Sequence, residues 1–124
     1  RPKDTNILWV LDTRRADYFV QMFNAKGDPV GPPGVFDAGY IEVLLGDVAV
    51  MLVGNAVPRL LSELPRKFSV LRCSKDDGRP DPIVVAALAE ENLYKEGAVS
   101  NILTPLYLRA PEAKIPLNGG RLKR

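Results

Sequence analysis

Residues 7–23, ILWVLDTRRADYFVQMF, constrain the fold of this chain more than any other stretch. An apolar run over residues 7–11 leads through the polar residues 12–17 to a second run over residues 18–23, which is rich in aromatic and β-branched side chains. Two such runs joined by a few polar residues predict an antiparallel hairpin. The continuous apolar character of the first run also predicts a strand that is covered on both faces.

Turn residues and prolines organise the next segment. Residues 24–28, NAKGD, predict a turn in which Gly27 takes a positive φ. A short third strand is expected within residues 30–36, and because proline cannot donate a hydrogen bond to a neighbouring strand, this strand should lie at a sheet edge. The first three strands are therefore expected to form an antiparallel meander.

Strand and helix signals alternate after the meander. We predict a short helix that is capped by Asp37 and ended by Gly46, and then a central, parallel strand over residues 48–53. Further extended segments are expected over residues 68–71 and 104–109. Between the parallel strand and residues 68–71, apolar residues at the spacing i, i+3, i+4, i+7 predict a helix. Its apolar face consists of Val57, Leu60, Leu61 and Leu64.

The last predicted helix has clear start and stop signals. Asp81 is placed to cap its N-terminus, Pro82 suits its first position, and Gly97 suits its end. Residues 83–89, IVVAALA, are apolar on all sides, so we expect this half of the helix to be buried.

The order of these elements predicts an α/β domain with a mixed sheet, an antiparallel N-terminal meander and flanking helices. This is the order of the RNase H-like fold of the actin, Hsp70 and sugar-kinase superfamily, although several mixed-sheet folds share it. With 124 residues, the chain has the size of one domain. We expect residues 1–117 to form a single domain of a longer two-domain protein, and residues 118–124 to form a flexible basic tail.

Composition narrows the function classes. A net charge of +2 is too small to predict nucleic-acid binding by bulk charge. The chain has one cysteine, Cys73, and no histidine, so neither an internal disulfide nor a histidine-based catalytic site is available. Its apolar runs are too short for a membrane span. We expect a cytoplasmic protein that does not contact membranes.

Acidic residues could serve a nuclease only as a cluster around two metal ions. Asp12 ends the first predicted strand, where RNase H-like folds place a carboxylate. The other candidates are explained differently, because Asp47 precedes a strand and Asp81 caps a helix. The sequence therefore predicts no catalytic residue and no metal site.

Two further sites are open to more than one interpretation. Gly54 and Asn55 follow a buried strand and open a helix, which suits either a vestigial nucleotide-binding loop or a simple turn with Asn55 as the helix cap. No cofactor is predicted. Arg14 and Arg15, beside Asp12, could bind a carboxylate or phosphate, or could form local ion pairs in a solvated loop. We take Asp12, Arg14 and Arg15 as candidate interaction residues.

Three stretches resemble the C-terminal domain of the bacterial TsaB (YeaZ) family. Residues 11–33, LDTRRADYFVQMFNAKGDPVGPP, resemble its opening, residues 50–57, VMLVGNAV, fit its internal strand and glycine, and residues 104–114, TPLYLRAPEAK, look like its C-terminal signature. Thr13 stands where the family usually has alanine, and Phe19 where it has tyrosine.

The resemblance implies a non-catalytic subunit that scaffolds and activates the TsaD enzyme, with the ATPase TsaE joining the assembly. This complex forms N6-threonylcarbamoyladenosine in tRNAs that read ANN codons. The resemblance implies that tRNA is contacted only indirectly, through the complex, and leaves a homodimer open. The alternative is the ATP-binding domain of an actin-like ATPase or sugar kinase.

Overall fold

The computed structural model of this chain describes residues 5–47, 49–67, 78–97 and 105–110. These residues form a small α/β domain with a mixed sheet. Its strands are β1 (Asn6–Asp12), β2 (Tyr18–Phe23), β3 (Gly34–Phe36) and β4 (Val50–Val53), and its helices are α1 (Ala38–Leu45), α2 (Val57–Glu63) and α3 (Pro82–Glu96). The strand predicted over residues 68–71 and the tail predicted over residues 118–124 lie outside the described residues.

The first three strands form the predicted antiparallel meander. In the hairpin of β1 and β2, Val10 lies opposite Val20 and Asp12 lies opposite Tyr18. β3 pairs with the other side of β2 and lies at the edge of the sheet, as its prolines require. The predicted turn before β3 is also confirmed, since Gly27 has a φ of 98°.

The β4 strand runs parallel to β1, as predicted, with Asn6 opposite Val50. The strand order is β3-β2-β1-β4, so β4 is the outer strand among the described residues. Its predicted central position depends on a neighbour such as the strand predicted over residues 68–71, which lies outside them, and so it stays a prediction. Val50 and Leu52 are buried on one face of the sheet, while Met51 and Val53 are half-buried on the other.

One cluster of buried side chains joins a single face of the sheet to α1 and α2. Side chains alternate between the two faces of a strand, so β1 and β2 contribute every second residue to this cluster. Burying a large aliphatic side chain contributes about 1.5 to 3 kcal/mol, which makes this cluster the main source of stability. Its members are Leu8, Val10, Tyr18, Val20, Ile41, Leu45, Val50, Leu52, Ala56, Val57, Leu60 and Leu64.

The predicted ends of α1 and α3 are confirmed. The carboxylate of Asp37 accepts a hydrogen bond of 2.8 Å from the backbone nitrogen of Tyr40, and α1 ends at Gly46. Asp81 caps α3 in the same way, and α3 ends at Gly97. Such caps satisfy backbone donors and acceptors that have no partner within the helix. None of the described helices is long and apolar enough to cross a membrane.

The predicted burial of α3 is wrong. Ile83 is 79% exposed, and Val84, Val85 and Leu88 are each more than half exposed. Side chains of α3 border a cavity of about 340 Å³ together with Trp9 on the second face of the sheet. A run that is apolar on all sides predicts burial only where other elements surround it, and the described residues do not surround α3.

Candidate interaction site at the β1–β2 loop

The loop over residues 13–17 is held by its own side chains. The hydroxyl of Thr13 lies 2.8 Å from the carbonyl oxygen of Asp17 and 2.7 Å from its Oδ1, and it donates to this residue. The same hydroxyl accepts a hydrogen bond of 3.1 Å from the backbone nitrogen of Arg15. An alanine, which the TsaB pattern usually has at this position, lacks the hydroxyl and could make neither hydrogen bond. Thr13 therefore contributes directly to the shape of this loop.

The two candidate arginines of this loop are on the surface. Arg14 has a φ of 60°, in the left-handed region that side chains rarely adopt. Its backbone nitrogen donates to Oδ1 of Asp12 at 2.9 Å, which helps to hold this conformation. The side chains of Arg14 and Arg15 are both exposed. The loop therefore presents two adjacent cationic side chains beyond the end of β1.

A third arginine, Arg59 of α2, joins the helix to the loop. Its Nη1 donates to Oδ1 of Asp12 at 2.7 Å, and its Nη2 donates to the carbonyl oxygen of Asp17 at 2.7 Å. Its Nε donates to the hydroxyl of Tyr18 at 3.0 Å, and this hydroxyl donates in turn to Glu63 at 2.8 Å. We call these five residues the Arg59 cluster. Because all three guanidinium nitrogens are engaged, Arg59 acts as a structural clamp.

Three groups of the Arg59 cluster, Asp17, Tyr18 and Arg59, have shifted pKa values. The hydrogen bond from the Thr13 hydroxyl, followed by the Arg109 guanidinium, lowers the pKa of Asp17. Burial is the main reason that the pKa of Tyr18 is raised, and the hydrogen bond to Tyr18 is the main reason that the pKa of Arg59 is raised. None of these three groups is shifted toward neutrality, which a general acid or base at neutral pH would require.

A contact across 92 positions of sequence ties the loop to the segment over residues 105–110. The guanidinium of Arg109 donates from Nη2 to Oδ2 of Asp17. Asp17 and Arg109 belong to the first and the last of the three stretches that resemble the TsaB family. The fold thus brings these distant stretches together.

Gly54 is required by the close approach of two strands. It has a φ of 123°, and a Cβ atom at this position would lie 2.1 Å from the carbonyl oxygen of Val10. Ala56, two residues after Gly54, donates its backbone N–H to the same carbonyl oxygen at 3.3 Å. The backbone of Gly78 packs on the turn so closely that a Cβ there would lie 2.5 Å from the nitrogen of Asn55. The turn is therefore filled by contacts within the chain.

Asn55 does not cap α2, so that interpretation is wrong. The N-cap is Ala56, which makes no side-chain cap hydrogen bond. The side chain of Asn55 instead accepts a hydrogen bond of 3.0 Å from the backbone nitrogen of Asp12. The pairing of β1 with β4 ends at Trp9 and Val53, so the Asp12 N–H needs another partner beyond that point. Asn55 and Asp12 thus meet, and Arg14 and Arg15 are exposed residues of the neighbouring loop.

The sequence analysis missed Arg59, Tyr18 and Glu63 as members of the polar site. Arg59 and Glu63 are four residues apart on the helix that the apolar face predicts, and this i, i+4 spacing is the sequence signal that could identify them. Their partner Tyr18 lies in the neighbouring hairpin, which sequence spacing alone does not connect to α2. Among the residues that the structure describes, no group of three acidic or sulfur-containing side chains is arranged to hold a metal ion.

The fold is similar to that of a YeaZ-like protein. An uncharacterized protein from Pseudomonas aeruginosa with similarity to the peptidase YeaZ matches this chain with a TM-score of 0.65 and 14% sequence identity. The match covers 88% of this chain and 51% of that protein, so this chain spans about half the length of its structural relative. At this identity the likeness shows the fold alone. No family model and no curated protein matches the sequence.

Proposed function

We propose that this chain is the C-terminal, RNase H-like domain of a TsaB-type protein, a non-catalytic scaffold and activating subunit of the complex that forms N6-threonylcarbamoyladenosine in tRNA. The observation that carries the proposal is the structural likeness to the YeaZ-like protein, with its TM-score of 0.65 over 88% of this chain. This likeness in three-dimensional structure supports the same family that three stretches of the sequence resemble.

The contact between Asp17 and Arg109 adds support. The opening stretch and the C-terminal stretch each resemble the TsaB family, and they lie far apart in the sequence. An ion pair that joins one residue of each gives both stretches a shared structural purpose.

A scaffold role agrees with the chemistry of the site. Arg59 directs all three of its guanidinium nitrogens at the chain itself. The turn at Gly54 and Asn55, where an actin-like ATPase would contact its nucleotide, is packed against Val10 and Gly78. Both features favour a structural domain over the alternative of an ATP-binding domain.

The proposed partners are a TsaD-like catalytic subunit and a TsaE-like ATPase in the bacterial cytoplasm, with tRNA contacted through the complex. Arg14 and Arg15 are the residues that we propose for the partner surface, because both side chains are exposed on a loop of fixed shape. Their planar guanidinium groups suit carboxylates on a protein partner.

Reconstitution tests this function. Threonylcarbamoylation of tRNA is measured with TsaD, TsaE and the enzyme that supplies threonylcarbamoyl-AMP, with and without the natural full-length form of this chain. We expect modification that depends on the chain and a complex with TsaD on gel filtration. A folded chain that neither binds TsaD nor stimulates modification would refute the scaffold role. Calorimetric ATP binding with hydrolysis in the absence of partners would favour the ATPase instead.

A charge-reversal pair tests the proposed surface separately. Arg14→Glu combined with Arg15→Glu should weaken binding to TsaD without loss of folded protein. Lys26→Glu is the matched control, because Lys26 is also an exposed cation but lies in the turn at the opposite end of the hairpin. Equal binding by the wild type, the double variant and the control would exclude this loop from the partner surface.

A further inference from the structure

The segment over residues 105–110 covers part of the sheet face that lies opposite α1 and α2. Leu106 and Leu108 border a cavity of about 190 Å³ together with apolar side chains of the hairpin. These are chiefly Trp9, Leu11 and Phe19, which point to the same side of β1 and β2. The segment and the hairpin thus enclose an apolar space between them.

The carboxylate of Asp17 is prepared to receive the arginine of this segment. The hydroxyl of Thr13 lies 2.7 Å from Oδ1, and the carbonyl oxygen of Asp17 accepts from Arg59 at 2.7 Å. These bonds fix Asp17 on the hairpin and direct Oδ2 toward Arg109. An acceptor that is already ordered loses little conformational entropy when the ion pair forms.

The segment lies at the surface of the part of the chain that the structure describes. Residues 105–110 have no regular secondary structure, and no backbone hydrogen bond joins them to another described residue. Leu106 is 73% exposed and Tyr107 is 82% exposed, so most of their surface remains in water. The contacts that the structure describes for this segment include the apolar cavity and the ion pair of Arg109.

We infer that residues 105–110 form a detachable strap, which the ion pair between Arg109 and Asp17 holds closed over Trp9 and Phe19. When the ion pair is lost, the strap leaves the sheet and uncovers this apolar face. The hairpin beneath keeps its structure, because its own strand pairing and the core on its other face do not involve the strap.

Fluorescence of Trp9 tests the strap, since Trp9 is the one tryptophan of the chain. In the full chain, Arg109→Gln and Asp17→Asn should each shift the Trp9 emission to longer wavelength and raise the Stern–Volmer constant for quenching by acrylamide. Arg109→Lys keeps the charge and should restore much of the wild-type behaviour. Glu42→Gln is the matched control, because it breaks an exposed ion pair with Lys67 away from the strap.

Hydrogen exchange of the β1 and β2 amides, measured on the same variants, separates a strap from a general structural support. We expect wild-type protection in both strands of Arg109→Gln and Asp17→Asn. Unchanged emission and quenching of Trp9 in both variants would overturn the inference. Exposure of Trp9 together with lost protection in β1 and β2 would also overturn it, because the contact would then be supporting the sheet itself.

Discussion

The guanidinium carbon of Arg59 lies 4.0 Å from the centre of the Tyr18 ring, while Nε of Arg59 donates to the hydroxyl of the same tyrosine at 3.0 Å. One cation thus binds both the aromatic face and the polar end of a single side chain. A cation over an aromatic ring is attracted by its negative face, and a charged donor strengthens the hydrogen bond. Tyr18 therefore connects the apolar core to the polar loop at one position.

Replacing Tyr18 with phenylalanine should destabilise the protein by about 1 to 2 kcal/mol, because the hydroxyl bonded to Arg59 and Glu63 is lost while the ring remains. Urea unfolding followed by circular dichroism measures the change. Tyr40→Phe is the control, since Tyr40 is 51% exposed and makes its contact with Phe36 through the ring. If the two variants had equal stability, the Tyr18 hydroxyl would contribute nothing specific.

Replacing Gly54 with alanine should cost more than about 4 kcal/mol, or prevent folding, because the new Cβ would collide with the carbonyl oxygen of Val10 in addition to the strain of a positive φ. Gly27→Ala isolates the strain: its φ is 98°, and a Cβ there meets nothing within 4 Å. This control should cost about 1 to 2 kcal/mol. A Gly54→Ala protein as stable as Gly27→Ala would show that the strands can move apart without penalty.

Two leucines in helices should respond differently to truncation. Leu60 is fully buried in α2, so Leu60→Ala should destabilise the protein by about 2 to 5 kcal/mol. Leu88 in α3 is 55% exposed, and Leu88→Ala should cost less than about 1 kcal/mol. Thermal and urea unfolding of both variants would compare them. A loss at Leu88 as large as that at Leu60 would mean that α3 is buried in solution, as its sequence suggests.

The dependence of stability on pH should show the contribution of Asp17. Its pKa is lowered in the folded protein, first by the Thr13 hydroxyl and then by Arg109. A carboxyl group whose pKa is lower in the folded protein than in the unfolded protein stabilises the fold at pH values above its unfolded pKa. This contribution is lost as the pH falls through the pKa of the folded protein. Stability should therefore fall on acidification below about pH 4, the usual aspartate range.

The Asp17→Asn variant should have a flatter stability profile in this acidic range, because it has no carboxylate to protonate at that position. Asp47→Asn is the control, since Asp47 is an exposed carboxylate that makes no hydrogen bond to another described residue. Unfolding midpoints in urea between pH 2 and pH 7 would give the profiles. Parallel profiles for wild type and Asp17→Asn would contradict the assigned role of Asp17.

Local patterns predicted the local parts of this fold. The hairpin follows from two apolar runs around a polar loop, and the caps Asp37 and Asp81 follow from side chains that can bond the nearby backbone. The position of β3 at an edge follows from proline chemistry. Each of these features depends on residues that are close together in the sequence.

Three features that depend on the surroundings of a residue in the folded chain were not predicted. Asn55 precedes α2 in the sequence, but in the folded chain its side chain accepts a hydrogen bond from the backbone nitrogen of Asp12, 43 positions away. Arg59 joins Asp12 and Tyr18 across more than forty positions, and neither spacing nor composition relates them. The burial of α3 depends on what surrounds it, which an apolar run does not specify.

The parallel pairing of β1 with β4 has a consequence for the order of folding events. The hairpin of β1 and β2 closes a loop of few residues, and such hairpins form in about 1 to 10 µs. Pairing Asn6 with Val50 closes a far longer loop, whose entropic cost must be met before the pair contributes. We expect the hairpin to serve as the template on which β4 is added, so substitutions in β4 should speed unfolding more than they slow folding. Stopped-flow kinetics of Val50→Ala and Val20→Ala would compare the two strands.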